Sequence, residues 1–399
     1  MELQNTLDAM QVLRKSGLDP YGALVGSLNT LFKVDQATQN AIKGWLLADN
    51  FRFHFEHNGY YRQSCLQQGV TPEQIRGFDD VTRIPLVPVR KFKDVDSHLL
   101  LSRPLSEIEF EMRSTGTSGI PSISRRDAPS VTRAVLGLYA MYREFFRLSR
   151  GAVLYLMPPT EEIPEMGMIK VLNMFSGLVD ATRTVVKRVS FKPQDALNVL
   201  DDWQDIHTRH IIGPPFLIYK LVAYLKERGI RLKLDRNTRV ITLGGWKRFT
   251  GMEIPREQFN AECAEYLGIA PNQVRDMYGL VEANILAVEC AQQNKHVPPW
   301  VHFSVRDMND LSREVPAGRR GLLAIMDPTS LSYPGFILTE DIVYLNSTDQ
   351  CGCGRIGQQV VYLTRAKGAE VGCCAINLDR KMAEREAAEM ESTPCPIAV

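Results

Sequence analysis

Through residues 6–66 apolar side chains recur at helical spacing, with Leu24, Leu28, Leu31 and Phe32 on one stripe and Gly or Pro closing the segments. The pattern predicts a helical N-terminal region. Asn58-Gly59 and residues 69–73 punctuate it, and Thr71 with Pro72 at the first helical position opens a further short helix. The prolines of Ile84-Pro85-Leu86-Val87-Pro88-Val89 predict an extended, loop-like passage, because the residue before a proline is steered out of the helical region.

Further along, the period alternates. Val131, Val135, Leu138, Met141 and Phe145 mark a helix over residues 130–148. Apolar runs of strand length lie at 153–157, 210–212 and 240–243, separated by helical stretches at 195–201 and 215–228. Strands alternating with helices predict an α/β fold, its parallel or mixed sheet covered on both faces. After Asp341 come shorter strand-like pieces, a polar helix over residues 378–390 and a tail over 394–399. The expected organisation is a helical region over residues 1–100 packed on the main domain, a core over 101–363, and a short C-terminal subdomain over 364–399.

Composition narrows the class. Hydrophobic residues at 44% and charged residues at 23% are those of a soluble globular chain rather than a disordered or fibrous one. A net charge of +1 provides no global field for nucleic acid or an anionic membrane, so an anion must be gripped locally. No apolar stretch of about 18 residues occurs, and Met1-Glu2-Leu3-Gln4 opens no signal-like segment, which predicts a cytoplasmic protein without a membrane span.

The eight cysteines are too few for a disulfide scaffold in 399 residues. Cys65 and Cys263 are expected to be small buried apolar residues. Cys290 and His296 form Cys-x5-His, and Cys351 with Cys353 form Cys-x-Cys. Together they offer four soft ligands of the kind zinc takes tetrahedrally, with reduced buried cysteines as the alternative and His302 as a substitute for His296.

The run Ser114-Thr115-Gly116-Thr117-Ser118-Gly119 concentrates glycines and hydroxyls between a strand-like segment and a helix. Glycines let backbone N–H groups approach an anion and the hydroxyls add donors. The Gly-Lys-Ser/Thr ending of the P-loop is absent, so the kinase and GTPase reading fails, and a Ser/Thr-rich surface turn is the alternative. This run resembles the phosphate motif of the adenylate-forming superfamily. In order after it, Leu243-Gly244-Gly245-Trp246 resembles that superfamily's glycine segment beside the adenine. Asp276-Met277-Tyr278-Gly279-Leu280-Val281-Glu282 resembles its Tyr-Gly-x-x-Glu motif, and Thr339-Glu340-Asp341 its Thr-Gly-Asp, with Glu340 in place of glycine. Ile84–Pro88 followed by Phe92-Lys93, Cys290 to His296-Val297-Pro298, Cys351-Gly352-Cys353-Gly354-Arg355 and Gly372-Cys373-Cys374-Ala375 narrow the resemblance, over residues 50–380, to the acyl-protein synthetase (LuxE) family, related to phenylacetate-CoA ligase.

The resemblance implies a large adenylate-forming N-terminal domain with a reduced C-terminal subdomain, ATP and Mg²⁺ as cofactors, and activation of a fatty or aromatic carboxylic acid to an acyl-AMP with release of pyrophosphate. It implies Thr115, Thr117, Ser118 and nearby N–H groups as phosphate donors, Thr115 and Glu282 as catalytic groups, Glu282 on Mg²⁺, Tyr278 and Gly279 with Gly244 and Gly245 around the adenine, Asp341 on the ribose hydroxyls and Arg365 at the ribose or phosphate. A buried core tyrosine is the alternative for Tyr278, a solvated helix-end residue for Glu282 and a surface residue for Arg365. It further implies acyl transfer to a thiol, with Cys374 as the chain's own candidate. A carrier or reductase protein and coenzyme A are the other acceptors.

Three departures keep alternatives open. Val371 stands where the family has an arginine before its Gly-Cys, and Cys373 and Cys374 could instead be two packed cysteines in a strand. The chain ends at Val399, fifty-eight residues beyond Asp341, which weighs against coenzyme A more than against adenylation. Lys367 and Lys381 are the lysines available for the role a full C-terminal domain would fill. An acyl-CoA or amide-forming ligase, or a catalytically silent binding protein, are the alternatives. Trp246, Pro214 and Phe216 are candidates to line the acid pocket.

Overall fold

The computed structural model describes residues 2–114, 120–148, 151–246, 251–347, 350–369 and 374–392. Five helices open the chain: α1 (Glu2–Lys15), α2 (Tyr21–Gly26), α3 (Leu28–Leu31), α4 (Gln36–His57) and α5 (Gly59–Gln67). Side-chain caps set two of their starts. Asp35 accepts from Thr38 N at 2.7 Å ahead of α4, and Asn58 from Tyr61 N at 2.7 Å ahead of α5. The proline-rich passage is more ordered than its sequence suggests, since Val87–Pro88 form a short strand, β1, followed by a 3-10 turn over Val89–Lys93.

Strands β2 (Ile108–Arg113) and β3 (Ile123–Asp127) pair antiparallel, with Arg113 opposite Ile123. The apolar pattern did not reveal this pairing. Helix α6 (Ala128–Phe146) begins two residues before the expected position because Asp127 caps it, accepting from Ser130 N, with Pro129 in its first turn.

There follow β4 (Gly151–Tyr155), α7 (Gly167–Asn173), β5 (Ala181–Thr184), β6 (Val186–Lys187), β7 (Ser190–Phe191), α8 (Pro193–Asp202), β8 (Thr208–Gly213), α9 (Pro215–Glu227), β9 (Val240–Leu243), α10 (Arg256–Leu267) and β10 (Val274–Gly279). The remaining elements are β11 (Leu286–Glu289), β12 (Lys295–His296), β13 (His302–Arg306), β14 (Gly321–Met326), β15 (Phe336–Leu345), β16 (Gln359–Arg365) and α11 (Cys374–Ser392).

These elements form two compact units. One unites the chain up to Arg113, Ile120 to Arg147, and Tyr278 through β16. Its strands pair antiparallel in the order β13-β14-β15-β16-β12-β11, with β1 added parallel to the first half of β15. Leu47, Phe51, Tyr61, Val81, Phe92, Tyr333, Phe336 and Ile337 fill a core between α4, α5, β1 and β15. Each such side chain contributes about 1.5–3 kcal/mol by leaving water.

The other unit runs from Leu148 to Met277 and takes in α11. Its strands lie parallel in the order β10-β9-β8-β4-β5, connected through α7, α8, α9 and α10. Every residue of β4 and β9 is buried, as a parallel strand covered on both faces requires. The architecture is α/β, as expected. Helix α11 starts at Cys374, four residues before the sequence pattern predicts, so Cys374 opens a helix and does not lie in a strand.

Candidate active site

Strand β10 carries the chain from one unit into the other. Asp276 is fixed inside the parallel sheet, where it accepts a hydrogen bond from Thr242 Oγ1 of β9 at 2.6 Å. Two residues on, the Tyr278 hydroxyl donates to Asp341 Oδ2 at 2.6 Å. Gly279 must lack a side chain, since a Cβ there would meet Ile285 O at 2.9 Å and the Leu286 side chain.

Asp341 and Arg365 are direct cross-strand partners on β15 and β16, with Arg365 Nε 3.2 Å from Asp341 Oδ1. The Tyr278 ring lies 6.1 Å from that of Tyr362, nearly parallel, and edge-on to Phe303. Tyr278, Asp341 and Arg365 thus form one set, joined by a hydrogen bond and an ion pair. Burial pushes the Asp341 carboxyl above its ordinary range against the pull of Arg365 and Tyr278, and burial, then Asp341, pushes the Tyr278 phenol well up. Glu340, which replaces the motif's glycine, is ion-paired with Arg90 behind β1.

Glu282 follows in the segment between β10 and β11 and is only 5% exposed, which excludes the solvated helix-end alternative. Burial raises its carboxyl, opposed by a hydrogen bond from Ser122 and then by the charges of Arg126 and Arg365. The backbone around it is held by groups that the sequence did not single out. Arg126, on β3, donates from Nε to Asn284 Oδ1 at 2.5 Å and from one Nη to Val281 O at 2.6 Å and Ala283 O at 3.3 Å. The Tyr333 hydroxyl donates to Glu282 O at 2.8 Å and is bonded to Ser124 Oγ at 2.6 Å. Asp327 accepts from Asn284 N at 3.2 Å. The strand that follows the Ser/Thr/Gly run is therefore tied to the Glu282 segment. Ser114 ends the described part of that run, and Thr115, Gly116, Thr117, Ser118 and Gly119 lie outside the described residues.

In the other unit, Gly244 closes β9 with φ at +106°, and a Cβ there would stand 2.8 Å from that of Ala375 and 3.1 Å from Met168 Sδ. Glycine at 244 thus admits the first turn of α11, and Gly245 continues the segment. Cys373 and the side chain of Cys374 lie outside the described residues. Trp246 packs edge-on against Phe259, with ring centroids 4.7 Å apart, and Phe216 is buried on α9. Lys381 pairs with Glu165 at 3.5 Å, and Lys367 occupies the turn after β16.

The four soft ligands converge. Sγ of Cys290, Cys351 and Cys353 and one ring nitrogen of His296 all lie within 4.8 Å of one another. Among the described residues Cys65 and Cys263 are the isolated buried thiols expected, each raised by burial. His302 is not an alternative ligand, because its Nε2 is bonded to Glu314 at 3.1 Å and its ring packs on Phe78. The Cys353 thiol is drawn well below its ordinary range, first by its hydrogen bond with Cys290 and then by His296 and Arg355.

Among the described residues no helix is long and apolar enough to cross a membrane. The family model "Acyl-protein synthetase, LuxE" matches residues 28–383. The chain is 29% identical to the "Long-chain-fatty-acid--luciferin-component ligase" of Vibrio harveyi, over 86% of this chain and 88% of that one. It is 30% identical to the protein of the same name from Aliivibrio fischeri, over 76% of this chain and 79% of that one. Among solved structures, 2-hydroxyisobutyryl-CoA ligase in an open conformation with 2-HIB-AMP and CoA superposes with TM-score 0.65 at 17% identity, covering 86% of this chain and 79% of that one. The same ligase in its postadenylation state gives 0.64, over 84% and 69%. The chain belongs to the acyl-protein synthetase (LuxE) family, a family of ligases, and carries the fold of adenylate-forming enzymes.

Proposed function

We propose that this chain activates a long-chain carboxylic acid with ATP, forming an acyl-AMP and pyrophosphate, and passes the acyl group to the thiol of Cys374. The observation that carries the first step is the bonded set Tyr278–Asp341–Arg365, with Glu282 within reach of the same Arg365 charge. The names of the relatives support a fatty acid.

In this reading the ribose hydroxyls of ATP donate to Asp341, replacing the Tyr278 hydroxyl, and the Tyr278 ring gives the adenine an apolar face without a charge. Arg365 stays on Asp341 and adds positive charge near the phosphates. Thr115, Thr117, Ser118 and the surrounding N–H groups grip the phosphates. Glu282 offers Mg²⁺ a buried oxygen donor of the hard kind that ion takes, and the ion supplies charge neutralisation at the phosphates. A carboxylate oxygen of the acid attacks the α-phosphorus, the bond to the β-phosphate oxygen breaks, and pyrophosphate leaves. The Cys374 thiolate then attacks the acyl carbonyl, its C–S bond forms as the C–O bond to phosphate breaks, and AMP leaves. Support for this acceptor comes from the position of Cys374 as the first residue of α11, where a helix N-terminus stabilises a thiolate. The Cys290, His296, Cys351 and Cys353 cluster takes no part in these steps, and its donors suit a structural zinc ion.

ATP–pyrophosphate exchange across a panel of fatty and aromatic acids tests the first step, with stimulation by long-chain fatty acids expected. Absence of stimulation by any acid, in folded protein that binds ATP and Mg²⁺, overturns adenylation and leaves a nucleotide-binding protein. For the second step, labelled acid should leave a hydroxylamine-sensitive mark on the chain. Cys374→Ala should abolish the mark and keep exchange. A mark that survives, or acyl-CoA formed in its place, moves the acceptor elsewhere.

A further inference from the structure

The geometry points to a closed, tetrahedral zinc site made of Cys290, His296, Cys351 and Cys353, which fastens the turn leading into β16 to the β11–β12 hairpin, with Arg355 as its counter-charge. The inference is independent of the acid chemistry proposed above.

The spacing of the ligand atoms is that of a coordination shell. Thiolates about 2.3 Å and imidazole nitrogen about 2.0 Å from a tetrahedral zinc stand about 3.8 Å (sulfur to sulfur) and about 3.5 Å (sulfur to nitrogen) apart. Cys290 Sγ and Cys351 Sγ are 3.7 Å apart, and Cys353 Sγ and His296 Nε2 are 3.5 Å apart. A disulfide needs about 2.05 Å between sulfurs, so the 3.7 Å pair is unbonded. Three sulfurs and an imidazole are a soft set that suits zinc rather than magnesium or calcium. With four protein ligands no position is open for water or substrate, which makes the site structural.

Every sulfur also accepts at least one N–H bond from outside the shell, which is how thiolate charge is steadied at a metal. Cys290 accepts from Gln292 N at 3.4 Å, Cys351 from Asn294 Nδ2 at 3.3 Å and Cys353 from an Arg355 Nη at 3.4 Å. Zinc displaces the thiol protons, so three thiolates, a neutral imidazole and Zn²⁺ sum to one negative charge. Arg355 offsets it and is itself held by Glu144, with Nε 3.0 Å from Oε1. The His296 ring is aimed by packing against Phe145 and Phe32, with centroids at 5.2 and 5.9 Å.

The ligands come from two tight turns. Cys290 begins the reverse turn between β11 and β12, closed by Cys290 N to Asn294 O at 3.0 Å, and His296 ends β12. Cys351 N bonds Arg355 O at 2.9 Å in the turn before β16, the strand that bears Arg365. His296 is already the register partner of Val288 and Gln359. A metal linking the turns thus fixes both strands at one end.

The test is elemental analysis of the full chain, purified without chelator or an immobilised-metal column and then desalted into metal-free buffer. One zinc per chain is expected. The chain produced with Co²⁺ should show intense thiolate-to-cobalt absorption in the near ultraviolet together with the visible bands of a tetrahedral ion. Titration of the wild-type protein with an organomercurial should release the zinc as three thiols react, a readout that needs no variant to fold. Cys353→Ala should lower the zinc content at least tenfold, and His296→Cys should retain it. Less than a tenth of a zinc per chain, cobalt spectra without thiolate bands, or full zinc in Cys353→Ala each overturns the site, whatever the exchange assay gives.

Discussion

Arg126→Met is the sharpest probe of the scaffold around Glu282. The side chain is 2% exposed and makes two short hydrogen bonds and one longer one, to Asn284, Val281 and Ala283. Each good bond to a charged donor is worth about 1.5–3 kcal/mol, so the two short ones alone account for about 3–6 kcal/mol. Methionine refills part of the volume, but leaves the Val281 carbonyl and Asn284 amide oxygen buried without that donor. It also removes a positive charge that opposes the burial shift of both Glu282 and Asp327. The expected net loss is about 3–5 kcal/mol, the range for removing one partner from a buried charged network. Urea unfolding followed by circular dichroism reads it as a lowered midpoint, and the Mg²⁺ concentration for half-maximal pyrophosphate exchange should rise several-fold in protein that remains folded. Arg126→Lys keeps the charge but not the fork, so it should fall between the two. A midpoint shift worth less than about 1 kcal/mol, with unchanged Mg²⁺ dependence, would refute the role assigned to Arg126.

Tyr278→Phe leaves the buried Asp341 carboxylate one donor short, at a cost of about 1.5–3 kcal/mol, and ribose hydroxyls can replace that donor. ATP should therefore raise the melting temperature more in the variant than in the wild type; equal shifts would remove Asp341 from the ribose. Gly244→Ala meets both a φ of +106° and the Ala375 Cβ, and should cost about 1–3 kcal/mol and expose α11 to limited proteolysis; protection equal to the wild type would contradict the packing. His54 is buried with its ring bonded to Ser102 Oγ at 2.7 Å and Ser330 O at 3.0 Å, and burial holds it at about 3, below the ordinary 6.5. The unfolded chain binds that proton first, so stability should be intact above pH 6.5 and fall as pH drops from 6.5 towards about 3, and His54→Gln should flatten that slope in urea midpoints measured across the range.

What the sequence makes legible follows from how local the cause is. Strand β9 was readable to the residue because Val240–Leu243 is a wholly buried apolar run with polar neighbours. The β2–β3 hairpin was not, since β2 keeps no buried face to give its residues an alternation. Helix α11 hides its first turn because Cys374-Ala375-Ile376-Asn377 presents no capping side chain ahead of its apolar residues. Glu282 and Asp341 were marked by their resemblance to ordered family motifs, and the two halves of the Cys/His cluster, which the structure brings together, by their spacing. Arg126, Tyr333 and Asn284 act across 43 to 209 residues of sequence, where no spacing carries a signal. The structure is what adds them.

The start of α11 also bears on the departure at Val371. An arginine beside the acceptor cysteine would lower its thiol pKa and steady the charge of the attacked carbonyl. Here α11 begins at Cys374, so the N–H groups of its first turn and the positive end of a 19-residue helix lie beside that residue in the chain. The same N–H groups can serve the oxyanion that forms when the thiolate attacks, the task an oxyanion hole performs elsewhere. Gly244 is what allows this, since any side chain there would push the first turn away from the segment that resembles the adenine-binding glycines. In the proposed reaction the backbone of α11 therefore replaces the missing arginine.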